Sequence, residues 1–170
     1  MSGSGPTAVV LCAVVRRDDD GTPATLLGLK RRGFAAGKTV LPGGKVEPGE
    51  SGAEAAVREL NEETGLVVAA DELELAATID FVFPAQPAAD MWCRVFRVGG
   101  RAAEESGTAR DTDELAVRWF RIDELPWAQT WQDAARWLPL VVAGPASPLV
   151  VRVELADDNE TVADYRSRAG

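Results

Sequence analysis

Histidine is missing from this sequence altogether. Its absence removes every Ser-His or Cys-His nucleophile scheme and any histidine-ligated zinc site. Cysteine is scarce: Cys12 and Cys93 both sit in apolar, strand-like runs and lack the close spacing of a metal site. They read as buried free thiols in a reducing cytosol rather than as a disulfide. Long apolar stretches are lacking too. The run from Ala8 to Val15 is too short to span a membrane, and the opening Met1-Ser2-Gly3-Ser4-Gly5 has no basic start of the kind a targeting segment carries. A soluble, cytoplasmic protein is expected. Positive charge is in deficit as well, with 18 Lys and Arg against 27 Asp and Glu, a formal charge of −9. General attraction to nucleic acid polymers or anionic membranes is therefore not expected, and an anionic ligand would need local basic groups or a metal.

What is present suits one domain over residues 1–170 with a sizeable core, since 46% of the residues are hydrophobic and charges of both signs are mixed in. Ala8 to Val15 is an apolar, β-branched run and reads as a buried strand. Asp18-Asp19-Asp20-Gly21 signals a solvated turn, and Ala24 to Leu29 reads as the returning strand of a hairpin. Lys30-Arg31-Arg32 follows at that strand's end, either a solubility feature or a phosphate contact, with Lys30 favoured for the latter by its closeness to the acidic stretch described next. Phe34 stands in a small-residue loop, as a core plug or a ligand contact. Thr39 to Pro42 leads into Gly43-Gly44, where positive φ would let backbone approach a metal or phosphate.

Further on, Leu73 to Phe83 and Met91 to Val98 read as a hairpin around Pro84 to Ala89. Gly99 to Asp113 reads as a surface loop, and Glu114 opens an alternating strand. Ile122 to Leu125 is a short connection. Trp131 to Val142 has helical spacing, and Trp127, Trp131 and Trp137 are expected mostly in the core. Leu149 onward reads as a terminal hairpin turning at Asp157-Asp158-Asn159.

The most informative stretch runs from Gly44 to Leu66. Ser51 and Glu54 form a capping-box pair, Pro48-Gly49 ends whatever precedes them, and Gly65 stands where a helix commonly stops, so a helix is expected over Gly52 to Thr64. Ala53, Val57, Leu60 and Thr64 form its apolar stripe. Glu59, Glu62 and Glu63 share another stripe, within one turn of each other and near the C-terminal end, where the helix dipole disfavours anions. Such a cluster calls for positive charge. Hard, oxygen-preferring cations suit it, above all Mg²⁺, which keeps several waters and completes its shell with substrate phosphates. Taken alone, a bare Glu-x-x-Glu-Glu reads rather as a solvated acidic face with Arg58 bridging to Glu62.

The complete spacing is more specific. Gly44, Glu50, Arg58-Glu59-Leu60, Glu62-Glu63 and Gly65-Leu66 are nine positions over 23 residues, and the segment resembles the signature of the Nudix hydrolases at every one. Looser likeness in Leu26 to Phe34, Trp119 to Leu140 and Thr161 to Tyr165 is similar to the MutT-like branch that hydrolyses oxidised purine nucleoside triphosphates. The resemblance implies an α/β (α+β) fold, with a mixed β-sheet sandwiched between helices. It implies a hydrolase of a nucleoside diphosphate linked to another group, in which water attacks phosphorus and Mg²⁺, or Mn²⁺, binds the phosphates.

By the same resemblance Glu59, Glu62, Glu63 and Glu114 would be metal ligands, with the Gly44 carbonyl near the same ions. Glu50 and Arg58 would form an ion pair that steadies the loop, and Glu59 and Glu114 are both candidate bases. Trp131 aligns with an aromatic that stacks on the purine, Asp133 with an acid that bonds its edge, and Phe34, Phe83 and Met91 with apolar pocket residues. Val40 replaces an asparagine that normally reads the base, Thr39 a tryptophan, and Ala134 a second aspartate. The implied substrate is a nucleoside triphosphate such as 8-oxo-dGTP, cleaved to monophosphate and pyrophosphate. A nucleotide sugar or a dinucleotide, with ADP-ribose as an example, is the alternative, and a non-catalytic nucleotide-binding module a third. The implied partner is the small nucleotide alone, bound by a monomer or homodimer.

Overall fold

The computed structural model of the chain describes residues 5–170; Met1 to Ser4, which carry most of the expectation about the opening segment, lie outside the described residues. Nine strands form one mixed sheet. They are β1 (Thr7–Arg17), β2 (Pro23–Lys30), β3 (Thr39–Val40), β4 (Gly43–Lys45), β5 (Glu74–Val82), β6 (Met91–Val98), β7 (Leu115–Arg121), β8 (Leu149–Leu155) and β9 (Val162–Ala169). The helices are α1 (Gly52–Thr64), α2 (Gly100–Glu104) and α3 (Ala134–Ala143). The main path runs β3-β2-β1-β6-β5-β8-β9, with β4 on β1 and β7 on β2. β1 with β6 and β5 with β8 are parallel, and the remaining pairs are antiparallel.

The apolar run of β1 explains the layering. Successive strand side chains point to opposite faces, so Val10, Cys12 and Val14 enter one core with Ala55, Ala56 and Leu60 of α1. Ala13 and Val15 enter the other, with Trp137, Leu138, Val141 and Val142 of α3. A strand buried on both faces needs apolar residues at every position, which is why β1 does not alternate. β1 also changes partner along its length. Val9 to Leu11 pair with β4, Val15 to Arg17 pair with β2, and at the change the Cys12 N–H is met by Pro42 O at 2.9 Å. Among the described residues no helix is long and apolar enough to cross a membrane.

Several expectations need correction. The span Gly99 to Asp113 is not all loop: it holds α2, whose Ala103 joins the α1-side core. Arg16 pins this segment by donating to Ala103 O at 2.9 Å and Gly107 O at 2.7 Å. The second long helix begins at Ala134 rather than Trp131, because the backbone there is taken up by single turns, Ala134 N to Trp131 O and Arg136 N to Asp133 O. Of the clustered tryptophans only Trp137 is core, whereas Trp127 is 38% exposed. On α1 the buried stripe is rotated to Ala55, Ala56, Leu60, Glu63 and Thr64, leaving Ala53 and Val57 half-buried. The Asp18-Asp19-Asp20 turn is tied down rather than simply solvated, since Arg121 donates to Asp18 at 3.2 Å and to Asp20 at 3.0 Å.

Candidate active site

Helix α1 forms where local chemistry marks both ends. Ser51 Oγ accepts from the Glu54 N–H at 3.1 Å and the Glu54 carboxylate accepts from the Ser51 N–H at 2.7 Å, so two otherwise unsatisfied donors are met reciprocally. At the other end Gly65 takes φ of 79°, a conformation open to glycine without a Cβ penalty, and its N–H reaches Asn61 O. The helix lies over β4, where Gly43 and Gly44 make close approach possible. Neither takes a positive φ, contrary to the expectation; Gly43 is excluded from bearing a side chain by backbone, and a side chain at Gly44 would displace the Glu59 carboxylate. A Cβ on Gly43 would meet Val10 O at 2.0 Å, and one on Gly44 would meet the Glu59 carboxyl carbon at 2.4 Å.

Arg58 holds the turn before the helix. Its Nε and Nη2 donate to the two oxygens of Glu50 at 2.8 and 3.0 Å, and Nη2 also reaches Lys45 O at 3.0 Å. This two-pronged contact binds helix, turn and β4 into one unit, and it keeps the Glu50 carboxyl below its usual range. Nη1 of the same guanidinium donates to Glu59 at 2.8 Å and to Glu62 at 3.4 Å, so the i,i+4 bridge is present too.

The acidic residues differ sharply in environment. The Glu63 side chain is only 4% exposed; it accepts from the Gly43 N–H at 3.0 Å and from Lys30 Nζ at 3.3 Å. Burial raises its pKa, partly offset by those two donors. Glu59 is also raised by burial, against the pull of Arg58, with Glu62 and Glu114 adding like-charge repulsion. Glu62 is 59% exposed. Glu114, at the foot of β7, pairs with Arg32 at 2.9 Å and lies 4.0 Å from Lys30. The expected clustering of carboxylates is therefore not present as a ready coordination set among the described residues. Lys30, Arg32 and Arg58 stand among the acids instead. The donor set still fits a hard divalent cation: every side chain concerned is a carboxylate, and two are destabilised as anions by burial.

The apolar end is assembled from distant pieces. Phe34, 58% exposed in the loop after β2, stacks on Trp131 with centroids 5.8 Å apart and planes 21° apart, and meets Phe83 edge-on at 6.3 Å. Lys38 Nζ lies 4.8 Å from the Trp131 ring on the same rim. Asp133 is buried; its carboxylate accepts from Trp137 Nε1 at 2.7 Å, and burial raises its pKa. Met91, Val40 and Ala134 complete this part of the wall. One cavity of about 200 Å³ runs from these residues to Gly43, Gly44, Glu63 and Lys30. Glu50, Arg58, Glu59, Glu62 and Glu114 do not line it.

Some participants had no individual signal in the sequence. Arg32 was visible only as a member of the basic run from Lys30, Lys38 only as the end of the small-residue loop around Phe34, and Gln129, which accepts from Thr39 Oγ1 at 3.2 Å, carries no signal in the sequence.

This chain belongs to the Nudix family: the model of the NUDIX domain matches residues 6–141. It is a Nudix hydrolase, of a family that generally uses divalent metal ions. Similarity extends to the oxidized purine nucleoside triphosphate hydrolase of Danio rerio, 42% identical over 117 residues covering 69% of this chain and 70% of that one. The enzyme of the same name from Mus musculus is 39% identical over the same shares. Among solved structures, the MutT protein of Bacillus halodurans superposes with a TM-score of 0.73 at 27% identity, covering 95% of this chain and 97% of that one.

Proposed function

We propose that this Nudix hydrolase cleaves a nucleoside triphosphate, foremost an oxidised purine form such as 8-oxo-dGTP, to the monophosphate and pyrophosphate with Mg²⁺, Mn²⁺ serving in its place, and so sanitises the nucleotide pool. The observation that carries the reading is the continuous cavity with an aromatic wall at one end and Lys30, Glu63 and the Gly43-Gly44 backbone at the other. A nucleotide has the same polarity, a flat base at one end and phosphates at the other. The names of the zebrafish and mouse relatives support the triphosphate and the oxidised purine.

In this reading Glu59, Glu62, Glu63, Glu114 and the Gly44 carbonyl would hold the metal, which would supply neutralisation of phosphate charge and a more nucleophilic water. Glu59 or Glu114 takes the proton from the attacking water; burial leaves Glu59 the more basic than an ordinary glutamate, a favourable setting for that task. Lys30 meets a phosphate oxygen. Glu50 acts through Arg58, holding the loop so that Glu59 is aimed correctly. Trp131 stacks on the base, Phe34, Phe83 and Met91 shape the apolar wall, and Asp133 bonds the base edge. We place this activity in one domain over residues 1–170, supported by the pairing of β8 with β5, and in a cytoplasmic monomer or homodimer that takes no nucleic acid polymer.

Product analysis with Mg²⁺ and a panel of 8-oxo-dGTP, 2-oxo-dATP, the normal triphosphates, ADP-ribose and a diadenosine polyphosphate tests the proposal. Monophosphate and pyrophosphate from an oxidised purine, formed well ahead of its normal counterpart, is the expected result. Val40 in the cavity wall favours a second reading, because it offers the base no hydrogen bond. Preferred cleavage of ADP-ribose or the dinucleotide would establish that reading, and tight binding without turnover of any compound would mark a binding module.

A further inference from the structure

Asn159 is at the turn between β8 and β9, beyond residues 6–141 that carry the family match, yet it lines the same cavity as Phe34, Trp131 and Asp133. The other polar side chains of the cavity's apolar end are already engaged within the protein. Thr39 donates to Gln129, Thr130 donates to Trp127 O, and Asp133 accepts from Trp137. Asn159 donates its Nδ2–H to Gln86 Oε1 at 3.2 Å, which leaves Oδ1 as the remaining atom. That oxygen is buried without a partner. Among the described residues only Arg94 Nε shares this condition, and Arg94 does not line the cavity.

The turn that carries Asn159 is clamped to the cavity rim from separate elements. Gln86 of the β5–β6 hairpin holds the amide, Gln132 Oε1 accepts from the Val162 N–H at 3.0 Å, and Glu160 pairs with Lys38, the cation over Trp131. Within the turn, Asp158 Oδ1 accepts from the backbone N–H groups of Glu160 and Thr161 at 2.9 and 2.7 Å. Asn159 itself takes φ of 57°, a left-handed conformation that asparagine tolerates better than most residues. The backbone that carries the side chain is thus positioned in advance, at little further ordering cost when a ligand arrives.

We propose that Asn159 is a specificity-determining residue of the base pocket: its unpartnered Oδ1 accepts an N–H from the edge of the bound base, alongside Asp133 and in place of the hydrogen bond that Val40 does not offer. A buried acceptor without a partner is the costly state of a hydrogen-bonding group, so a base that brings an N–H is favoured over one that brings an acceptor or a C–H. Meeting the base takes a rotation about χ2, which is broad for an amide and gives up the Gln86 contact while the backbone stays clamped. This inference rests on the nucleoside triphosphate reading above.

The test is kcat/KM with Mg²⁺ for 8-oxo-dGTP, 2-oxo-dATP, dGTP, dATP and dCTP, on the intact chain and on N159G, N159D and Q86A. Glycine keeps the left-handed backbone and removes the amide. Aspartate keeps an acceptor and removes the donor. N159G should lose about tenfold in kcat/KM on the best base, mainly through KM, and should flatten the preference among bases, while N159D keeps that preference. Q86A should keep the preference too. An equal loss on all substrates, an unchanged preference in N159G, N159D as poor as N159G, or Q86A reproducing N159G would each overturn the assignment and leave the triphosphate reading standing. An unsubstituted chain that cleaves no triphosphate overturns both together.

Discussion

The two ends of the cavity are built in opposite ways. The polar end is lined by Gly43 and Gly44 of β4, Glu63 of α1 and Lys30 of β2, and the Arg58-pinned turn that ties β4 to α1 belongs to the same contiguous stretch outside the lining. Its hydrogen bonds join charged groups to backbone at short range. The apolar end gathers Phe34, Phe83, Met91, Trp131 and Asn159 from separate places along the chain, held by aromatic stacking and packing and by the long-range contacts of Asn159 with Gln86 and of Lys38 with Glu160. The difference teaches that the acidic, polar end can travel as a sequence cassette, while the aromatic end depends on how distant loops meet.

The largest expected effect attacks the cassette. Glu63→Gln should cut kcat by about a hundredfold or more, since it removes a charge held against Gly43 and Lys30 at the reacting end. Removing divalent ions with a chelator should abolish turnover and restoring Mg²⁺ should recover it. Steady-state kinetics at saturating Mg²⁺ reads both, and an intact kcat in E63Q would show the cassette to be misassigned. Next, Glu50→Gln should lower kcat by roughly ten- to a hundredfold with KM little changed, because it loosens Arg58 without touching the cavity.

At the other end Trp131→Ala should act mainly on KM, by about tenfold, and should narrow the preference among bases, because aromatic stacking on a base contributes on the order of 1–3 kcal/mol. A fall in kcat alone, with KM and preference unmoved, would erase the functional division between the two ends. The smallest effect should come from a region remote from both. Asp20 in the β1–β2 turn has its pKa lowered to about 2, chiefly by the Thr22 N–H and hydroxyl and by Arg121. A carboxyl depressed in the folded state contributes stability above its ordinary pKa near 3.8, and loses it as pH falls toward 2. Asp20→Asn should therefore flatten acid unfolding between pH 4 and 2 while leaving neutral-pH kinetics untouched. Circular dichroism against pH checks it, and an unchanged acid limb would mean that the turn contacts do not persist in solution.

Thiol chemistry separates core from surface in the same way. Both cysteines are free and buried, and burial pushes Cys12 up to about 12 and Cys93 higher still, so neither presents a thiolate at neutral pH. The expectation of free, buried thiols agrees with the fold.

The sequence by itself determined α1, both of its caps and the hairpins, and the family resemblance implied the Glu50–Arg58 pair. Those features depend on hydrogen bonds and spacings that span a few residues, or on strands whose apolar pattern is plain. It did not determine α2, whose five residues are too few to show a helical period, nor the start of α3, where Trp131 and Asp133 serve the pocket instead of the helix. It did not show how closely the acids pair with cations: Arg58 of the same helix reaches Glu59, while Lys30 and Arg32 reach Glu63 and Glu114 from the end of β2 and the loop after it. Asn159 looked like an ordinary turn residue. Tertiary structure alone decided that its amide, Phe34 and Trp131 share one cavity, because such contacts arise from the packing of remote segments around the sheet and leave no period or local motif behind.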